Sequence, residues 1–130
     1  MLGLAIFLLL SSALFGVQPK TVTVKIEYNG LSTDISTEIN FEEEITVLEA
    51  LMKVAKVQTH PIGEHVFVDA INDFENRKGE KAWYYFVNDE YATKLAIDMK
   101  LNQGDVVTWL YKQEVCSKTI DGNSSATKKN

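Results

Sequence analysis

Apolar and polar residues alternate strictly over residues 21–28, with Val22, Val24, Ile26 and Tyr28 set against Thr21, Thr23, Lys25 and Glu27. A period of two puts one row of side chains on a core and the other in solvent. The β-branched residues that dominate it predict a half-buried strand. Asn29-Gly30 follows at once, a hairpin signal because both residues accept positive φ. With those two as the turn, Tyr28 faces Leu31, Val24 faces Ile35 and Val22 faces Thr37, and the apolar sets share one face. A longer loop through Asp34, with the second strand confined to about 36–41, is the alternative.

The period then changes. Thr46-Val47-Leu48-Glu49 is a capping box, in which a hydroxyl and a carboxylate satisfy the first free amides of a helix. It opens a helix expected over about 47–57, with Leu48, Leu51, Met52 and Ala55 in one apolar stripe. His60-Pro61-Ile62-Gly63 is expected to end the helix and turn the chain. Residues 65–71, 82–88 and 105–112 read as strands, Asn72 to Lys81 as a surface loop, and Gln103-Gly104-Asp105 as the turn before the last strand. The order is strand, strand, helix and three strands, which predicts an α+β domain with one helix packed on a mixed sheet of four to five strands.

Composition changes the picture mainly at the ends. Residues 1–17 carry no charged side chain and end in small residues, so they read as a signal peptide, with an uncleaved signal anchor as the alternative. The domain, residues 18–116, is therefore expected to be secreted or extracytoplasmic, touching a membrane only through that first segment if it stays uncleaved. The tail, residues 117–130, lacks an apolar period and reads as disordered, with a glycosylation sequon at Asn123-Ser124-Ser125. Net charge is −5 and no basic cluster precedes Lys128-Lys129, which argues against nucleic acid as a partner. The single cysteine, Cys116, excludes an internal disulfide and a multi-cysteine zinc site.

A strand leading into a helix as ITVLEALMKVAK, then WYYFVNDEYATKLAIDMKL and QGDVVTWLY, resembles the transcobalamin C-terminal-like domain, a family otherwise met as a bacterial domain of unknown function. The likeness covers about residues 21–112 and rests on Trp83, Val87-Asn88, Gly104-Asp105 and Trp109. It implies a β-grasp-like fold in which the first and last strands pair side by side. In transcobalamin and intrinsic factor this domain covers one face of cobalamin, so a corrinoid is the ligand the resemblance implies. The turn after the tryptophan strand reads Asn88-Asp89-Glu90, where bacterial members often pair Asn with Gly.

Among residues that could carry chemistry, the run Trp83-Tyr84-Tyr85-Phe86 is the densest aromatic feature. Alternation places Trp83 and Tyr85 on one face and Tyr84 and Phe86 on the other; loops burying both faces would make the run plain core. The expected ligand surface joins Trp83 and Tyr85, as an apolar platform, to a polar tip of Asn88, Glu90, Tyr91, Thr93 and Lys94. His60, Glu64 and His65 could hold zinc, but Pro61 and Gly63 favour a surface turn. Glu42-Glu43-Glu44 reads as solvated charge before the helix. No nucleophile motif or phosphate loop is present, so an enzyme is not expected. The expected function is a secreted or surface-tethered, non-catalytic binding module without a cofactor, taking a small molecule such as a corrinoid. The alternative is a structural or adhesive domain that binds a surface protein or an envelope polymer.

Overall fold

A computed structural model describes residues 19–114. The segment read as a signal, Cys116 and the tail with Asn123 lie outside the described residues. In chain order the elements are β1 (Lys20–Glu27), β2 (Ile35–Phe41), β3 (Ile45–Thr46), α1 (Val47–Val54), β4 (Val57–Ile62), β5 (His65–Ile71), β6 (Phe74–Glu75), β7 (Lys81–Val87), β8 (Glu90–Tyr91), β9 (Lys100–Leu101) and β10 (Val106–Gln113). The arrangement is mostly sheet, parallel and antiparallel mixed, with one helix.

The main sheet has the order β2-β1-β10-β7-β8. Its centre is the parallel pair of β1 and β10, with Val24 opposite Val107 and Ile26 opposite Trp109. One face of the sheet is the core face. Val22, Val24 and Ile26 from β1, Trp83 and Tyr85 from β7, and Val107, Trp109 and Tyr111 from β10 are all buried there. Helix α1 covers the β1–β2 part of this face. A second sheet, β4-β5-β6, covers the β7–β10 part. Two bonds hold the layers together: Trp83 Nε1 donates to the Phe74 carbonyl at 2.7 Å, and Tyr111 Oη to the Glu75 carbonyl at 2.5 Å. Tyr28 closes the end of β1, its ring 4.8 Å from Phe74 and its hydroxyl accepting from Asn72 at 2.8 Å.

Several local expectations are corrected. Ile26 pairs with Ile35 and Val24 with Thr37, so the first hairpin uses the longer loop through Asp34 and not the two-residue turn. Asn29 and Gly30 still have positive φ, but the Asp34 carboxylate accepts the Tyr28 amide at 3.0 Å and stabilises the wider connection. The helix stops at Val54 because Ala55 is already extended. Its buried residues are Val47, Leu48, Ala50 and Leu51, while Met52, expected on the stripe, is 58% exposed. His60-Pro61-Ile62 is not a turn but the end of β4, with Ile62 opposite His65 across Gly63-Glu64. Pro61 is tolerated because β4 is an edge strand. The loop over 72–81 contains the short β6, reached through a turn in which Asn72 and Asp73 both have positive φ.

Candidate functional site

The hairpin β4–β5 stands away from the main sheet and leaves a cleft of about 300 Å³ between them. The sheet contributes Trp83, Tyr85 and Trp109. The hairpin contributes His60, Ile62, Val66, Phe67, Val68 and Asp69. Lys94, Leu95 and Ala96, from the segment between β8 and β9, close another side. Strand alternation explains the sheet wall, since Trp83 and Tyr85 are two apart on β7 and Trp109 lies directly opposite Tyr85 on β10. The Tyr85 and Trp109 rings lie 5.0 Å apart. Tyr85 Oη donates to the Lys94 carbonyl, which pins the closing segment to the sheet. Burial in this layer, reinforced by the Asp98 carboxylate, pushes the Tyr85 phenol up to about 12. Asn76 is committed to the scaffold, accepting from the Trp83 amide at 2.9 Å and donating to the Val68 carbonyl at 2.8 Å.

Two polar features in the cleft wall stand out. Trp109 Nε1 is buried without a hydrogen-bond partner, the single such side-chain atom among the described residues. A buried donor left unpaired costs about 1–3 kcal/mol. His60 Nδ1 lies 2.5 Å from Asp69 Oδ1, and the His60 ring stacks on Phe67 at 5.5 Å. The pairing slips beside them: Gln58 faces Ala70 and Thr59 faces Val68, which leaves Asp69 as the extra residue of a bulge. Bulges re-aim side chains, and this one accompanies a carboxylate turned to an imidazole two strand positions away. Among the described residues no three side chains of His, Cys, Asp or Glu come together, and the set of His60, Glu64 and His65 is not assembled.

The residues expected to form one ligand surface fall into two places. Trp83, Tyr85 and Lys94 line the cleft just described. Asn88, Glu90, Tyr91 and Thr93 line a separate depression of about 350 Å³ with Val87, Met99, Asn102 and Asp105. Trp83 and Tyr85 are also core residues, 7% and 8% exposed, so they line the cleft without forming an open platform. Asn88 binds the neighbouring strand: its amide donates to Asp105 at 2.9 Å and its carbonyl oxygen accepts from the Val106 amide at 2.9 Å. The open aromatic side of β7 belongs to Tyr84 and Phe86. Lys112 Nζ sits over the rings of Tyr84 at 4.9 Å, Phe86 at 5.9 Å and Tyr91 at 4.7 Å.

Sequence reasoning did not find Phe67, Asp69 or Trp109 as cleft residues, and it placed His60 in a turn. The available signal was the β-branched Val57, Thr59 and Ile62 before Gly63, masked by Pro61.

The architecture is a mixed sheet covered on one face by a helix and a second small sheet, with an aromatic cleft between the layers. The chain belongs to the family described as domain of unknown function DUF4430, whose profile matches residues 45–113. No curated protein matches it. A crystal structure from Ruminococcus gnavus, described as that of a "putative metal binding protein", is similar in fold, with a TM-score of 0.59 at 16% identity, over 73% of this chain and 98% of the other.

Proposed function

We propose that this domain is a non-catalytic binding module that receives a flat, largely apolar small molecule in the cleft between β4–β5 and the main sheet. The observation that carries this reading is the cleft itself. Its volume of about 300 Å³, its aromatic and aliphatic wall and its few polar groups are those of a ligand pocket. Among the described residues no serine, threonine or cysteine lines it for His60 to activate, which supports binding over covalent catalysis. The parallel β1–β10 centre supports a β-grasp-like reading of the fold. With the transcobalamin-like motifs, it makes a corrinoid the specific ligand proposed. A corrinoid is larger than the cleft and would insert an edge, leaving one face uncovered. The charge-free first 17 residues support a secreted or membrane-tethered location.

Both tryptophans of the chain line the cleft. A ligand panel read by tryptophan fluorescence and calorimetry on residues 18–130 therefore tests the proposal. Cobalamin or cobinamide is expected to bind no tighter than the micromolar range, because one-sided contact buries only part of the ligand. Absence of heat and of quenching with every corrinoid and every flat aromatic compound would refute it.

The second reading, an adhesive domain for a surface protein or polymer, is favoured by one observation. The outer sheet face carries Phe86 and Tyr91 with ring centroids 4.4 Å apart, and Tyr91 is 61% exposed. Tyr91→Ala separates the two readings: it leaves cleft binding intact and weakens attachment through the outer face.

A further inference from the structure

We propose that the outer edge of β2 is a strand-addition site for an extended basic segment of a partner protein, which sets a lysine or arginine opposite Glu38. The site is independent of the cleft, which lies against β7 and β10, whereas β2 forms the far edge of the sheet. The Thr21 carbonyl accepts from the Gly104 amide and the Thr23 amide donates to the Asp105 carbonyl. These residues of β1 therefore aim their backbone groups toward the β10 side. Alternation turns the groups of Val22, Val24 and Ile26 to β2, where their partners are Ile39, Thr37 and Ile35. Ser36, Glu38 and Asn40 must then direct their N–H and C=O groups outward. All three are exposed, and among the described residues β2 pairs with no strand but β1.

Sheets blunt their open edges with short strands, prolines, bulges or lysines. The other edges of this domain are blunted or capped. β6 and β8 are two residues long. β4 carries Pro61 and a register shift between Gln58 and Thr59. On β7, Arg77 bonds Lys81, Asn76 accepts the Trp83 amide, and the Tyr85 carbonyl accepts the Ala92 amide. β2 runs seven residues in unbroken register with no proline and no lysine. Its charge selects the occupant. Glu38 lies at its middle, and Glu42 and Glu43 follow it, all exposed. Among the described residues none of the three makes an ion pair. A second copy, paired antiparallel in the register that uses every outward group, would set Glu38 opposite Glu38. Like charges directly opposite destabilise a ladder, whereas a cation there stabilises it. On the other side of the strand, half-buried Ile35 and Ile39 would meet apolar residues of the incoming segment. The segment that fits therefore alternates basic and apolar residues, its main chain supplying affinity and its side chains specificity.

The full chain, isotope-labelled for NMR, is titrated with an octapeptide of alternating valine and lysine and, separately, with its valine–glutamate counterpart. The wild type is expected to bind the lysine peptide and not the glutamate one. Amide exchange at Ser36, Glu38 and Asn40 is expected to slow on binding, while Thr37 and Ile39, already bonded to β1, keep their rates. Glu38→Lys is expected to weaken the lysine peptide about fivefold or more and to admit the glutamate peptide. Ser36→Pro removes one outward N–H, leaves every charge in place and is expected to weaken binding as well, its fold checked by circular dichroism. Binding of the lysine peptide with unchanged exchange at those three amides would overturn the site, as would no binding to the wild type. Slowing of the same amides with rising protein concentration and no peptide would make a second copy the occupant and overturn the basic partner. The cleft reading survives each of these outcomes.

Discussion

At the scale of the residue, the two tryptophans make a controlled pair. Trp83 Nε1 is bonded to the Phe74 carbonyl, whereas Trp109 Nε1 is buried with no partner. Trp83→Phe removes a bond and strands its acceptor; Trp109→Phe removes a donor that was already unpaired. Both lose similar packing, so Trp83→Phe is expected to be the more destabilising by about 1 kcal/mol in urea denaturation. Tyr85 supplies a second residue-scale prediction. Its phenol is held up to about 12, against 10.0 for the ordinary group, by burial and then by Asp98. Below pH 10 the folded and unfolded chains both keep the proton. Between about 10 and 12 the unfolded chain releases it first, so stability must fall as pH rises through that window. Tyr85→Phe is expected to flatten that part of the stability–pH curve. An unchanged slope in the variant would mean that another group titrates there.

At the scale of the element, the helix shows what sequence patterning resolves. The hydroxyl half of the capping box is present as read, with the Glu49 amide donating to Thr46 Oγ1 at 3.2 Å, while the Glu49 carboxylate accepts from the Thr46 hydroxyl at 3.2 Å in place of a backbone amide. Thr46→Ala is therefore expected to cost about 1 kcal/mol. Leu51→Ala, at a fully buried position, is expected to cost about 2–5 kcal/mol. Met52→Ala, on the exposed side, should lie within about 0.5 kcal/mol of the wild type. Denaturation midpoints of the three variants give the ranking directly. The error at Met52 has a physical source. A helix of two turns offers only one repeat of the period, so Met52 fitted the stripe while Val47 and Ala50, which meet the core, did not. Strands β1, β5, β7 and β10 were legible because alternation or continuous apolar runs announce them. Strand β4 was not, because Pro61 carries a turn signal that an edge strand overrides. The cleft was legible only in part. Trp83, Tyr85 and Lys94 could be named from the motifs, but the pairing of His60 with Asp69 depends on a bulge that no local pattern encodes.

At the scale of the whole molecule, the decisive feature is that the first and last strands are neighbours. β1 and β10 supply the middle of the sheet, so neither half of the chain owns a complete core. Deleting residues 106–113 is expected to abolish cooperative unfolding, measured by far-ultraviolet circular dichroism, and not merely to trim an edge. Contacts that span nearly the whole described chain also delay folding, since the loop between them must close before they form. The same pairing has a mechanical consequence. β1 and β10 run in the same direction, so tension drawn from Lys20 on one side and Gln113 on the other pulls them past each other lengthwise. Their shared hydrogen bonds, from the Thr23–Val106 pair to the Glu27–Leu110 pair, are then loaded together and must yield together. Pulling Ile35 and Lys20 apart instead strains the antiparallel β1–β2 ladder from its two ends, Ile26 opposite Ile35 and Lys20 opposite Phe41, along a different path. In single-molecule stretching, the Lys20–Gln113 axis should rupture in one high-force event. A domain joined to a surface at one end and to a load at the other would hold by shear and give way all at once.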